Sequence, residues 1–344
     1  MTNNALSSTG NILTSEGHNV KIILTGATGF IGINYLSEVH NDGNEYICLV
    51  RKQSACDALK HLHAEVKIIA FHREELQTAI KGADVVIHMI GQMGKYGLQL
   101  NEFERVNCLL TEDIVEACLA DKVKQFIYLS TPGVQGFGKR LCKEEDSYAP
   151  RGNYEKTKVA AEQYIINRLK NEEMKYTIIR PDFVYGPGDY RRIKMYKNIR
   201  DRKFILTTSG NTYLHPTYVM DVVQGIHRSV NNENAYNEIF NISAPNDITV
   251  QEYLEIIANY FGKKVLKINI GYHLSVFLAS VIDAFSDRFL KKEGFVSKNK
   301  IDFLALNHST SSEKAQRLLG YVPEYDFKSG FNNTMKWCES NHLL

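Results

Sequence analysis

Residues 21–32 read KIILTGATGFIG. A β-branched run ends at Thr25, Gly26, Gly29 and Gly32 follow three apart, and a helical pattern opens at Phe30. A tight turn alone would account for three glycines. Between a strand and a helix, however, each acquires its own task. The first allows a sharp turn, the next lets backbone approach a pyrophosphate, and the last permits close packing of helix on strand. The helix start adds unpaired N–H groups and the positive end of a dipole, both suited to phosphate. The stretch therefore points to a dinucleotide loop on the first strand of a βαβ unit.

Outward from this loop the chain alternates apolar strands with helical patterns. Strands are expected at 21–25, in EYICLV (45–50), VKIIA (66–70), DVVIHMI (84–90), QFIYLS (125–130) and KYTIIR (175–180). Helices are expected at about 30–40, 55–63, 74–81, 103–120 and 154–170. Continuous apolar strands separated by helices are what a parallel sheet covered on both faces requires. The fold class is α/β, a Rossmann-type doubly wound parallel sheet with a smaller, mostly helical C-terminal substrate lobe. After Arg180 the rhythm loosens into a loop holding Pro181, Gly186, Pro187 and Gly188. Later strands are expected near 213–219 and 238–242, and helices near 250–261 and 274–290. The boundaries predicted are a disordered tail at 1–19, a dinucleotide-binding domain at 20–180 plus about 205–245, and a substrate lobe at about 181–204 plus 246–344.

Composition narrows the function. The 344 residues are 44% hydrophobic and 23% charged, and a net charge of +2 offers no field for a polyanion, so nucleic acid is not an expected partner. Six cysteines are scattered without a CxxC pair, which predicts no metal site, no disulfide framework and reduced thiols in the cytoplasm. Residues 1–19 lack the basic and apolar regions of a signal peptide. The longest uncharged stretch, 268–282, falls short of the ~20 apolar residues that span a bilayer, so no transmembrane segment is expected.

Three further groups carry chemistry. The second strand runs into Arg51 and Lys52, where NAD sites usually place an acid for the ribose 2′-hydroxyl. Cations there pair with a 2′-phosphate, which favours NADP(H) over NAD(H), unless both are simply solvated loop residues. Tyr154 and Lys158 lie four apart at the start of a helix and stack on one face. An ammonium ~4 Å from the phenol, at an effective dielectric of about 20, is worth roughly 4 kcal/mol, or about three pKa units, and is expected to bring the phenol toward working pH. Ser130 and Thr131 end the strand before that helix, and alternation lets one of them face the site.

Taken in order, TGATGFIG, DVVIHMIG, Asn107 in ERVNCLLTEDIVEAC, FIYLSTPGVQG, Tyr154-x-x-x-Lys158, IIRPDFVYGPGD and HPTYVMDVV resemble the extended short-chain dehydrogenase/reductase family, also called the NAD-dependent epimerase/dehydratase family. The resemblance covers about residues 20–344, including the tail SSEKAQRLLGYVPEYDFKSGF. It implies Tyr154 as general acid/base, Lys158 as its electrostatic partner and anchor of the nicotinamide ribose, and Thr131 as hydroxyl donor, with Ser130 second. It also implies a cofactor site made of Gly26, Thr28, Gly29, Phe30, Ile31, Gly32, Ile90, Gly91, Asn107, Pro181 and Val184. Asp221 corresponds to a helix-capping acid.

Departures from the family pattern point away from some of its reactions. Thr131 is followed by Pro132 and Gly133 rather than the Asp-Glu pair of the dehydratases, and Leu214 stands where the epimerases resembling this chain place a diphosphate-binding arginine. The third strand is also not followed by the usual adenine-facing acid. The branch that remains is the one close to dihydroflavonol reductases and 3β-hydroxysteroid dehydrogenases. It implies hydride transfer to or from a carbonyl or secondary alcohol of a small, non-nucleotide substrate. A nucleotide-sugar epimerase is the alternative, and a non-catalytic nucleotide sensor a second one. Arg191, Arg192 and Lys194 hint at an anionic group or form only a solvated basic face. The stretch HLSVFLASVIDAFSDRFL (273–290) suits a greasy pocket, a peripheral membrane contact or an ordinary core helix. A homodimer is left open.

Overall fold

The computed structural model describes residues 19–51, 56–59, 61–62, 64–94, 97–290 and 298–344. The expected N-terminal tail up to residue 18, and Lys52, lie outside them. Among the described residues seven strands form one sheet, and every neighbouring pair in it is parallel. They are β1 (Lys21–Thr25), β2 (Glu45–Val50), β3 (Glu65–Ile68), β4 (Val85–His88), β5 (Gln125–Leu129), β6 (Lys175–Pro181) and the last strand, Glu238–Ile242. Their order across the sheet is last strand, β6, β5, β4, β1, β2, β3. The chain thus winds outward from β1 to β3 and returns to the other side of β1 for β4. Thr25 and His88, in register at the ends of β1 and β4, flank the point where the winding reverses. Open α/β sheets bind ligands there.

The sheet carries apolar side chains on both faces because helices cover both. Ile22 and Leu24 join one core with Tyr35 and Leu36 of α1 (Phe30–Val39) and with Val222, Val223 and Ile226 of a helix at Val219–Ser229. Ile23 points the other way, toward Leu76 and Ile80 of α2 (Arg73–Ile80). That face is completed by two longer stretches. The helical segments α3 (Leu100–Glu104) and α4 (Leu110–Ala120) are joined by a π-helical turn at Arg105–Leu109, and α5 spans Asn153–Leu169. The helix expected at 55–63 is only a 3₁₀ turn at Asp57–Leu59 among the described residues.

Downstream lie α6 (Tyr190–Arg200), α7 (Val219–Ser229), α8 (Val250–Tyr260), α9 (Tyr272–Phe285), α10 (Lys298–Ala305), α11 (Glu313–Leu319) and α12 (Phe327–Ser340). A third core gathers Tyr196 and Ile199 of α6, Tyr253 and Leu254 of α8, and Phe327 and Phe331 of α12. Within it Tyr196 meets Phe331 edge-on at 5.4 Å and Tyr253 lies tilted on Phe327 at 4.6 Å. α11 behaves differently. Its Ala315 and Leu319, and Tyr321 after it, belong to the sheet-face core with α1 and α7, so the C-terminal segment crosses back onto the sheet.

Asp221 holds that return in place. It lies in the first turn of α7, but its carboxylate accepts from the backbone N–H of Glu324 at 2.8 Å and of Tyr325 at 3.3 Å. It therefore pins the chain between α11 and α12, where the family resemblance implied a helix-capping acid. Burial pushes its carboxyl up to about 7, against the lowering by the two N–H donors. A folded pKa above the unfolded one favours the folded state at low pH, and that contribution fades as pH rises through the folded value. Thermal melts from about pH 4 to pH 8 should show wild type losing stability relative to Asp221→Asn as pH rises toward about 7, and levelling off above it. A difference independent of pH would refute the shift.

Candidate active site

Gly26 closes β1 with φ +80, and a Cβ built on it would stand 2.8 Å from the Met89 carbonyl carbon and 2.9 Å from the Ile90 nitrogen. Only glycine lets the ends of β1 and β4 approach this closely. Gly29 donates its N–H to the Gly26 carbonyl at 2.9 Å and stands as the N-cap of α1. No side chain caps that helix and its first turn holds no acid, which leaves the position suited to an anion. A Cβ on Gly32 would collide with the Gly26 carbonyl oxygen and lie 2.7 Å from Ala27 Cα, so this glycine sets the helix against the loop.

A cavity of about 780 Å³ opens at this reversal point. It brings together Gly26, Gly29, Phe30, Ile31 and Gly32 from the loop, Gly91 after β4, Thr131 after β5, Tyr154 and Lys158 from α5, Pro181 at the end of β6 and Val184 beyond it. Other expected residues stand off its wall. Ile90 packs its side chain against the core on the α2 face of the sheet, and Thr28 and the exposed Arg51 do not line the cavity. Asn107 is buried behind it.

Ser130 and Thr131 both line the cavity after β5, but their hydroxyls are engaged differently. The Ser130 hydroxyl donates to buried Glu162, which also accepts from Arg180 Nε at 3.0 Å and Nη2 at 2.6 Å and from the Tyr148 hydroxyl at 2.8 Å. Thr131 Oγ1 accepts from the Gly133 N–H at 3.3 Å, which leaves its O–H proton to donate into the cavity.

Tyr154 does not show the lowered pKa expected from Lys158. Burial pushes its phenol up, the adjacent Glu155 carboxylate adds to the rise, and the Arg191 guanidinium opposes it. The ammonium is engaged elsewhere: Lys158 Nζ donates to the Leu129 carbonyl at 2.7 Å and to the Tyr128 hydroxyl at 3.1 Å. Lys158 is itself buried, and desolvation drives it down to about 7 although Glu162 raises it, so near neutrality its charge is partial. Desolvation outweighs the through-space attraction that helical spacing promises.

Buried polar groups fix α5 from behind. Asn107, on the π-helical turn, accepts from the Gln92 N–H at 2.7 Å and donates to Thr157 Oγ1 at 3.0 Å. Thr157 in turn donates to the Tyr154 carbonyl at 2.8 Å. Deeper still, Thr111 donates to the Asn107 carbonyl at 2.9 Å, so it accepts from His88 Nε2 at 3.0 Å, and Thr25 donates to His88 Nδ1 at 2.6 Å. That arrangement is the neutral imidazole, and burial pushes His88 down to about 3.

Sequence reasoning missed several residues of the wall. Glu155, next to Tyr154, lines the cavity beside Gly133 and Gly152. His308 also lines it, with its Nδ1 3.4 Å from Oδ1 of fully buried Asp182. Asp182 Oδ2 is held by the N–H and hydroxyl of Thr310, both at 2.9 Å. The signal for this pair lies about 125 residues apart in sequence, beyond any local pattern. Phe137, Phe183 and Phe303 surround His308, with ring centroids 4.9, 6.4 and 5.5 Å away. Phe183 adopts φ +26, a conformation rare outside glycine and often stored at functional sites. Arg191 and Arg192 both reach the cavity but share Asp189, at 2.8 and 2.9 Å, and Arg192 lies 3.8 Å over the Phe183 ring. Lys194 is exposed away from it.

Comparison with known proteins agrees with this geometry. The family model "NAD dependent epimerase/dehydratase family" matches residues 22–243. An N-acetyl-alpha-D-glucosaminyl-diphospho-ditrans,octacis-undecaprenol 4-epimerase of Escherichia coli O157:H7 is 24% identical over 325 residues, covering 93% of this chain and 95% of that protein. A decarboxylating sterol-4-alpha-carboxylate 3-dehydrogenase of Candida albicans is 24% identical over 349 residues, covering 92% and 97%. Among solved structures, the UDP-glucuronic acid 4-epimerase of Bacillus cereus with UDP-glucuronic acid and NAD superposes with a TM-score of 0.75 at 20% identity, over 94% of this chain and 100% of that one. A glycine loop at the sheet's reversal point, an uncapped helix start and the Tyr154–Lys158 helix fit a nicotinamide dinucleotide, and the chain belongs to the NAD-dependent epimerase/dehydratase family of extended short-chain dehydrogenases/reductases.

Proposed function

We infer that the chain is an oxidoreductase that acts on a carbonyl or secondary alcohol of a small, largely apolar, non-nucleotide molecule and prefers NADP(H) to NAD(H). The observation that carries this reading is the Thr131 hydroxyl and the Tyr154 phenol on one cavity whose wall also holds the rings of Phe137, Phe183 and Phe303. Gly26, Gly29 and the start of α1 would hold the pyrophosphate, Lys158 the ribose, and Pro181 and Val184 would border the nicotinamide. Bound there, the cofactor supplies or takes up hydride. Thr131 donates to the substrate oxygen and Tyr154 exchanges the proton with it. A phenol raised by burial stays protonated at neutral pH, which suits giving a proton to a developing alkoxide and so favours reduction. The names of the Candida and Escherichia relatives specify a sterol and a polyprenyl-linked sugar, which supports a lipophilic substrate.

Epimerisation of a nucleotide sugar is the second reading, and the cations of Arg191 and Arg192 on the cavity wall favour it. Against it, Leu214 is fully buried in the third core and offers nothing to a diphosphate.

Replacing Tyr154 with Phe should lower turnover of a ketone or secondary alcohol by roughly 10²–10⁴ while cofactor still binds. UDP-sugars should leave the melting temperature of the holoprotein unchanged. Undiminished turnover in Tyr154→Phe would remove the proton-transfer role, and a shift of several degrees with a nucleotide sugar would promote the epimerase.

Glu155→Gln removes the negative charge beside the phenol, so the limb of the pH–rate profile belonging to Tyr154 should move to lower pH. An unmoved profile would show that Glu155 exerts no influence on it.

The cofactor preference rests on Arg51 after β2 and on the absence of an acid there. Calorimetry should find NADPH bound more tightly than NADH, with Arg51→Asp narrowing or reversing the gap. Equal affinities in the wild type would exclude the preference.

A further inference from the structure

Helix α9 carries its large side chains on the wrong side for a core helix. Toward the protein it buries Ser275 and Ala279, 3% and 1% exposed, while Phe277, Val281 and Phe285 face outward at 63%, 53% and 58%. Leu274, Leu278 and Ile282 fill the outward stripe at helical spacing. Phe289, on a π-helical turn at Ser286–Leu290, extends it at 68% exposed. At the other end of α9 the paired strands Ile205–Leu206 and Leu266–Lys267 add exposed Ile205, Leu266 and Ile268. The two parts are continuous, because Ile268 and Ile270 donate their N–H groups to Leu206 and Thr207, at 2.9 and 3.0 Å, and Ser275 Oγ donates to the Thr207 carbonyl at 3.1 Å. Single exposed apolar side chains need no partner, whereas a continuous stripe with the small residues turned inward marks a face that something else covers.

Charge and size select what covers it. Exposed Lys263, Lys264, Lys267 and Arg288 flank the apolar residues in sequence, and Lys267 Nζ reaches the neutral Gln251 amide at 2.8 Å, leaving its charge for another partner. Anionic headgroups complement such a rim. A second copy of the chain meeting this face about a two-fold axis would set the same cations against one another. The 14 residues of α9 are about 21 Å long, too short to cross a bilayer, and no described helix is long and apolar enough to do so. Phenylalanines and leucines on one face suit a helix lying in the interface plane. The stripe is also close to the cavity: the Tyr272 hydroxyl donates to Asp302 of α10 at 2.9 Å, and the next residue, Phe303, lines the cavity.

We propose that α9 and the adjoining exposed strands dock this protein on an anionic membrane surface, so that a lipid-borne substrate enters the cavity past α10. Delivery rests on the oxidoreductase reading. Docking does not, and vesicle binding is measured without turnover, so the two can fail separately.

The test is flotation of the full chain with vesicles of equimolar phosphatidylcholine and phosphatidylglycerol, alongside vesicles of phosphatidylcholine alone. Wild type should float with the anionic vesicles and much less with the neutral ones. Phe277→Ser/Phe285→Ser should weaken binding by more than about 100-fold without lowering the melting temperature, since both side chains are exposed. Lys264→Glu/Lys267→Glu should weaken it less, and added salt should mimic that variant; it decides the matter if the phenylalanine variant fails to fold. Wild type left in solution, or equal flotation of the wild type and either variant, overturns the proposal. So does a wild-type dimer that the phenylalanine variant dissociates while vesicles bind neither, which would assign the face to a second copy.

Discussion

The site depends on one close backbone approach. Gly26 lets the end of β1 pass so near Met89 and Ile90 that any side chain would strike their backbone. Because β1 and β4 are in register from Ile22 to Thr25, that contact fixes where both strands release their loops. The first loop delivers the uncapped start of α1 and the second delivers Gly91. A Cβ on Gly91 would stand 3.5 Å from Lys158 Nζ, in ordinary contact, so the loop after β4 runs directly over the lysine.

Around this approach a buried polar frame sets the position of α5. Lys158 is tied to β5 through the Leu129 carbonyl, Thr157 to the π-helical turn through Asn107, and Glu162 to Arg180 on β6. The extra residue of a π turn displaces the helix register locally, and here Asn107 stands within it. Breaking a buried ion pair such as Glu162–Arg180 by removing one partner typically costs about 3–5 kcal/mol, because the other charge is stranded. The same pair occupies the Ser130 hydroxyl, and so the frame that orients the helix also engages one of the two hydroxyls on the cavity wall.

Much of the sheet was legible because parallel strands are long in apolar residues and punctuated by helices. Every core strand from β1 to β6 stands within a few residues of its expected place. The C-terminal part was harder to read. α12 buries Phe327, Phe331, Thr334, Met335 and Cys338 at helical spacing, yet the single Gly330 and several polar residues blur the pattern, and the helix was not expected. α9 was expected, but its orientation was not: periodicity reports that a face is apolar, not whether that face turns toward the core or away from it.

The sequence by itself determined the doubly wound sheet, the glycine loop and the Tyr154–Lys158 spacing, because each follows from local backbone geometry repeated at fixed intervals. Tertiary structure alone engaged the Ser130 hydroxyl with Glu162, made Asp221 a clasp for residues 324–325, and placed His308 against Asp182. It also raised the Tyr154 phenol where helical spacing had promised to lower it. These outcomes share a physical reason. Desolvation and hydrogen-bond partners are set by whichever segments meet in space, and groups adjacent on a helix can be overruled by a carbonyl or carboxylate brought in from a distant strand.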